Sequence, residues 1–178
     1  MKQHTGARRV HVFDHTLRSG DKKFREENLC REPVARVHND YTEWSGPNRV
    51  RDLLPAEADE LLERRFAIVQ VWRATRNPIE VDPLGICDAQ TLDDKDLLIS
   101  ERRYPDRVGQ TYQIAHNPNH EWYYFPRMIR NEALVFKVFD TATDGRARFT
   151  AHSAFVDPQS PPDAPPRESI ETRTIAFF

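Results

Sequence analysis

Cysteine is nearly absent from this chain: Cys30 and Cys87 are the only two in 178 residues. Two thiols build no disulfide framework, and their scarcity fits a reduced setting, so a cytoplasmic protein is expected. Long apolar runs are missing as well. No stretch approaches the roughly 20 residues a membrane helix needs, so no membrane partner is expected. The polar opening Met1–Arg9 also lacks the apolar centre of a secretory leader. Nor is there an excess of charge. Against 26 basic side chains stand 28 acidic ones, a net charge of -2, which leaves no electrostatic footprint for nucleic acid. Glycine is scarce too, six against 13 prolines, so the turns are stiff.

What is present reads as an ordinary globular chain, 38% hydrophobic, 10% aromatic and 30% charged. Its length suits one domain, residues 1–178, with one sizeable core. Short strands are predicted at Val10–Phe13, Ala35–His38, Ala67–Trp72, Thr111–Ala115, Trp122–Phe125, Leu134–Phe139, Arg148–Phe155 and Ile170–Phe178. Turn residues separate them, including Asn77–Pro78, Asn117–Pro118, Asp144–Gly145 and the Pro158–Pro166 stretch. Pro55–Arg65 is the one strong helix signal, with proline first and acids in the first turn. Many strands with one or two short helices predict an all-β fold, a jelly roll or related barrel.

The most informative stretch is His38-Asn39-Asp40. Residues two apart in a strand share a face, so His38 and Asp40 can aim an imidazole and a carboxylate at one point. Those are two corners of the two-histidine, one-carboxylate set that leaves positions open on Fe(II) for dioxygen and a chelating cosubstrate. Alone, H-x-D is weak evidence, and a polar-edged surface strand is the commoner reading. The second half lies far downstream. His152 sits among small and aromatic residues, Phe149–Phe155, as a third ligand or as a hydrogen-bonded core histidine. Arg167 and Ser169 again lie two apart. A guanidinium grips a carboxylate through two charged hydrogen bonds, and a neighbouring hydroxyl adds a third donor. That suits the distal carboxylate of a dicarboxylic keto acid whose other end chelates iron; for Arg167 alone an ion pair with Glu168, Glu171 or Asp163 is the favoured reading. Arg173 shares the face of Arg167, so the choice of clamp stays open.

Seven blocks extend the pattern: Val12–Arg18, Val37–Thr42, Val71–Arg73, Asp82–Asp88, Asn117–Tyr124, His152–Phe155 and Ala164–Arg173. In these the sequence resembles a bacterial and fungal oxygenase group. That group includes the cephamycin methoxylation component and the aspergillic-acid and gibberellin-desaturase-like hydroxylase/desaturases. The resemblance implies a double-stranded β-helix (cupin-like) that uses Fe(II) and 2-oxoglutarate to hydroxylate or desaturate a small metabolite. By position it implies iron ligands His38, Asp40 and His152, and a clamp of Arg167 with Ser169. Two departures stand out. Only Met1–Arg9 precedes the first block, so a more open pocket, or one completed by a second subunit or partner enzyme, is expected. Ala74 follows the tryptophan block where the family has proline, which loosens a loop.

Other residues are weaker candidates. Alternation puts His120, Trp122 and Tyr124 on one face, to contact substrate together with Trp72 and Arg73, or to pack in the core. Tyr112 is a further 2-oxoglutarate contact or a barrel residue. His11 and His15 read as structural, and Cys87 as buried and inert. Two other functions fit the chain. A cupin-like metal dioxygenase would keep the three ligands without needing Arg167. A non-catalytic β-sandwich partner subunit would need no metal at all.

Overall fold

The computed structural model describes every residue except 104, 106 and 107. Among the described residues, ten strands form two antiparallel sheets. One sheet has the order β1-β10-β3-β8, from Arg9–Ser19, Glu168–Phe177, Phe66–Ala74 and Leu134–Asp140. The other runs β5-β6-β2-β9-β4-β7, from Leu97–Arg103, Val108–Ile114, His38–Asn39, His152–Ala154, Leu84–Cys87 and Trp122–Tyr123. The fold is the expected jelly roll.

β3 shows how sequence makes this architecture. It reads Phe-Ala-Ile-Val-Gln-Val-Trp-Arg-Ala, and its β-branched and aromatic residues suit a strand covered on both faces. Phe66 and Ile68 join Val138, Phe139, Ile175 and Phe177 in one apolar cluster, while Trp72 joins Ile79, Leu84 and Met128 in a second. Each such buried side chain contributes about 1.5–3 kcal/mol relative to an exposed one. Gln70 falls between the clusters on the same alternation, almost fully buried. β10 repeats the arrangement, with Ile175 and Phe177 in the first cluster and polar Glu171 and Arg173 beside Gln70. A polar band therefore crosses the sandwich between two apolar halves.

The helices differ from expectation. Among the described residues four α-helices are present, α1 Lys2–Thr5, α2 Lys22–Asn28, α3 Ser45–Leu53 and α4 Ala58–Leu62. Pro55–Arg65 shortens to α4. The side chain of Asp21 caps α2, accepting from the amides of Lys23 and Phe24 at 2.8 and 3.2 Å. Thr42 and Ser45 bond reciprocally at the start of α3: the Thr42 amide donates to Ser45 Oγ at 2.8 Å and the Ser45 amide to Thr42 Oγ1 at 3.1 Å. Strands β4 and β5 also fall where no strand was expected, and β9 is shorter than Arg148–Phe155.

Candidate metal centre

His38 and His152 are cross-strand partners on β2 and β9, with ring centroids 4.5 Å apart. Asp40 lies one residue past β2. One ligand atom from each of the three falls within 4.8 Å of the others. His38 Nε2 and Asp40 Oδ1 are 3.3 Å apart, close to the ~3 Å expected of neighbouring ligands on metal bonds of about 2.1 Å.

The backbone fixes both tautomers. His38 Nδ1 is 2.7 Å from the Arg36 carbonyl oxygen, and His152 Nδ1 is 2.9 Å from that of Thr150. A carbonyl only accepts, so Nδ1 carries the proton in each ring and Nε2 keeps its lone pair for a metal. Burial, with His38 as neighbour, pushes the His152 imidazolium down to about 4, so this ring is neutral at physiological pH. Burial also disfavours charge on His38, but the adjacent Asp40 carboxylate outweighs it and raises the net value.

The opposite sheet orients Asp40. Gln70 donates its amide to Asp40 Oδ2, and Arg173 donates Nε–H to the same oxygen at 3.2 Å. Despite burial, Arg173 and the two histidines hold the Asp40 carboxyl well below the usual carboxylate range. Arg173 also meets Asp14 and Glu171. Between the two ligands of the H-x-D stretch, Asn39 turns away and is fully buried. Its amide donates to the carbonyls of Tyr41 at 2.7 Å and Val138 at 2.9 Å, and its oxygen accepts from the Thr150 amide at 3.1 Å. These bonds tie β2 to β8 of the opposite sheet and to Thr150, whose carbonyl orients His152.

Two cavities meet at His38. The first is narrow, about 20 Å³, and its walls include His38, His152, Gln70, Trp72 and Arg167. Arg167 is buried, donating Nε–H to Ser169 Oγ at 3.1 Å and Nη1–H to the Asp82 carbonyl at 2.6 Å. Its guanidinium centre lies 5.1 Å from the Trp72 ring centroid. Among the described residues no carboxylate lies within 4 Å of it, so none of the three expected ion-pair partners engages it. Burial and the nearby Arg18 push it down to about 10. The indole Nε1–H of Trp72 is likewise buried without a hydrogen-bond partner among the described residues. The second cavity is an open cleft of about 220 Å³ along His38, Asp40 and Tyr41.

Residues 1–177 match the family model described as oxidoreductase/YMDC permease-like domain. The chain is 40% identical over 136 residues to the hydroxylase/desaturase asaB of Aspergillus flavus, covering 68% of this chain and 60% of that protein. It is 36% identical over 157 residues to the hydroxylase/desaturase efuI of Hormonema carpetanum, covering 82% and 52%. Among solved structures, the iron and alpha-ketoglutarate-dependent endoperoxidase NvfI superposes with a TM-score of 0.90 at 30% identity, covering 99% of this chain and 64% of that one. The chain belongs to this oxidoreductase family of hydroxylase/desaturases. It spans between half and two thirds of the length of these family members. No helix among the described residues is long and apolar enough to cross a membrane.

Within the family framework, the other candidates sit elsewhere. Trp72 lines the Arg167 cavity rather than the open cleft. Arg73 points outward, its Nη1 3.4 Å from the Arg130 carbonyl. His120 is buried against Asp96, 3.0 Å away, with Trp122 edge-on beside it. Tyr124 donates its hydroxyl to Asp157 at 3.2 Å. Tyr112 packs edge-on to Phe149, and its hydroxyl accepts from the Glu43 amide at 3.4 Å. None of Arg73, His120, Trp122, Tyr124 or Tyr112 lines either cavity at the metal set. Cys87 lies in β4 rather than a loop, and burial pushes its thiol up. Sequence reasoning missed Gln70, Asp14 and Arg18. The available signal for Gln70 was a lone amide inside an apolar strand.

Proposed function

We propose that this chain is the metal-binding domain, residues 1–178, of a non-haem Fe(II)/2-oxoglutarate-dependent oxygenase that hydroxylates or desaturates a small metabolite. The observation that carries this reading is a three-ligand set, bare Nε2 lone pairs included, whose two imidazoles share a cavity with a buried guanidinium that has no carboxylate partner among the described residues. The two imidazoles and the carboxylate fit Fe(II), whose open positions accept an oxygen-donor chelate and dioxygen. Bound there, iron with 2-oxoglutarate supplies dioxygen activation, with oxidation of the keto acid to succinate and carbon dioxide and removal of a substrate hydrogen.

The protein's residues supply placement. Arg167 receives the far carboxylate of 2-oxoglutarate, its guanidinium plane set by Ser169, the Asp82 carbonyl and the Trp72 ring. The Trp72 indole N–H stands in the same wall as a further donor. At about 20 Å³ the cavity admits the cosubstrate only as its lining side chains adjust. Arg173 is occupied by Asp14, Asp40 and Glu171, which makes it a positioning residue for the ligand Asp40 rather than the clamp. Substrate enters from the open cleft. Two unpaired cysteines suit a reducing cytoplasm. A second copy or partner enzyme that extends the open cleft belongs to the same reading.

The test is an anaerobic titration of metal-free protein with Fe(II) and then 2-oxoglutarate, following the weak visible charge-transfer band of the chelate. Appearance of the band in wild type and its loss in His152→Ala supports the reading. Iron binding without a band means a metal enzyme that needs no keto acid. No iron binding means a non-catalytic partner.

A further inference from the structure

Among the described residues the walls of the open cleft carry a surplus of positive charge. On the acidic side are Asp14, Asp40 and Asp52. Arg173 takes up Asp14 and Asp40, and Arg18 turns to Glu171 at 3.4 Å. Among the described lining residues five arginines stand against three aspartates, and Arg31, Arg49 and Arg102 make no hydrogen bond to a described carboxylate. Asp52 Oδ2 is 4.0 Å from Arg49 Nη1, too far for a hydrogen bond.

Arg49 is the cation built in most firmly. It projects from α3, its side chain is only 19% exposed, and its guanidinium centre lies 5.1 Å from the Phe13 ring centroid. Stacking on an aromatic face holds a guanidinium while leaving its N–H fork available, and a planar fork matches a carboxylate. Phe13, Tyr41 and the half-exposed Trp44 add an aromatic wall on the same cleft. His38 and Asp40 line this cleft too, so a molecule lying along the wall reaches the metal set.

We infer that the substrate is a small carboxylic acid with a flat or apolar body, its carboxylate received by Arg49 and its body laid along Phe13, Tyr41 and Trp44. The inference rests on the oxygenase reading for the statement that the cleft holds substrate. Near Arg49 the anion sits in a partly desolvated site, so the charge-assisted bond contributes more than at an open surface.

The experiment uses protein loaded with Mn(II), which occupies the three ligands without turnover, and saturating 2-oxoglutarate. Isothermal titration compares 1-naphthoate with 1-naphthamide, which shares its shape but carries no charge. Wild type is expected to prefer the carboxylate by about tenfold or more, with the preference shrinking at high salt. Arg49→Gln should bring the two probes to within about twofold, and the exposed Arg31→Gln should reduce the preference by only a few fold. Equal binding of both probes, binding of neither, or an undiminished preference in Arg49→Gln overturns the inference. The 2-oxoglutarate titration of the same samples keeps the two readings apart. A keto acid that binds beside a cleft without charge preference sinks only the substrate assignment. Failure of the keto acid to bind at all sinks the oxygenase reading, and the naphthoate comparison without it still reports on Arg49.

Discussion

Arg173 reaches across the sandwich from β10 to Asp40 at the end of β2, donating Nε–H to Oδ2 at 3.2 Å. One carboxylate oxygen is thereby committed to the opposite sheet, through Arg173 and Gln70, while Oδ1 stays 3.3 Å from His38 Nε2. The geometry of the candidate ligand set is therefore fixed in part by a residue outside it.

Arg173→Lys keeps a positive charge but loses the fork that spans Asp14, Asp40 and Glu171. Mn(II) affinity is expected to fall about 10–100-fold, the usual range for a residue that orients a metal ligand. 2-Oxoglutarate binding to the fully metal-loaded variant should change far less. Calorimetric titration of metal, then keto acid, reads both, and an unaltered metal affinity would contradict the positioning role.

Arg167 makes the opposite trade. It is buried without a carboxylate partner among the described residues, so in the unliganded protein its charge is a cost to folding rather than a gain. Arg167→Met fills the same space with an apolar chain. The midpoint of thermal unfolding should hold or rise slightly, while the 2-oxoglutarate concentration needed for half-saturation rises about 10–100-fold and Fe(II) affinity is unchanged. A variant that keeps wild-type keto-acid dependence removes Arg167 from the clamp.

The chain order H-x-D, strands, distal histidine, R-x-S could be read directly because each element is a short local pattern. Period-two alternation alone brought His38 and Asp40 to one face, and resemblance aligned His152 with them. The distinction between Arg167 and Arg173 was not legible, since both sit on one face of β10's run. What separates them is their neighbours: Asp14, Asp40 and Glu171 lie within reach of Arg173, whereas the Trp72 ring lies beside Arg167. The aromatic cluster around His120 misled for a related reason. Alternation gives a face but not which side of the sandwich that face meets. α3, which carries Arg49, had a signal in its Thr42–Ser45 pair, but the proline at position 47 and polar neighbours hid it.

α3 owes its close approach to Gly46. A Cβ added there would lie 2.7 Å from the Phe139 ring, and Phe139 is itself buried and packed on Phe66 and Phe149. Gly46→Ala gains about 0.5–1 kcal/mol of helix preference but costs about 1–3 kcal/mol in overpacking. A net loss in urea unfolding is expected, together with weaker 1-naphthoate binding as Arg49 shifts with its helix. A stabilised variant would show that Phe139 can move aside.

Asp140 ties acid stability to the end of β8. Burial opposes ionisation of its carboxyl, but Arg65 at 3.1 and 2.8 Å, Lys137 at 2.8 Å and the Ala142 amide at 3.0 Å outweigh it, and the value falls to about 2 from 3.8. A folded value below the unfolded one means the stabilisation is complete above about pH 4 and is lost as pH falls through 2. The difference corresponds to at most about 2.5 kcal/mol. Asp144 is held equally low by Arg146, but that pair lies at the surface and contributes little. Comparing wild type with Asp140→Asn by denaturant unfolding between pH 2 and 6 isolates the buried group. The wild-type advantage should be constant above pH 5 and shrink steadily towards pH 2. An advantage that does not change with pH would mean that Asp140 acts through its shape and hydrogen bonds rather than its charge.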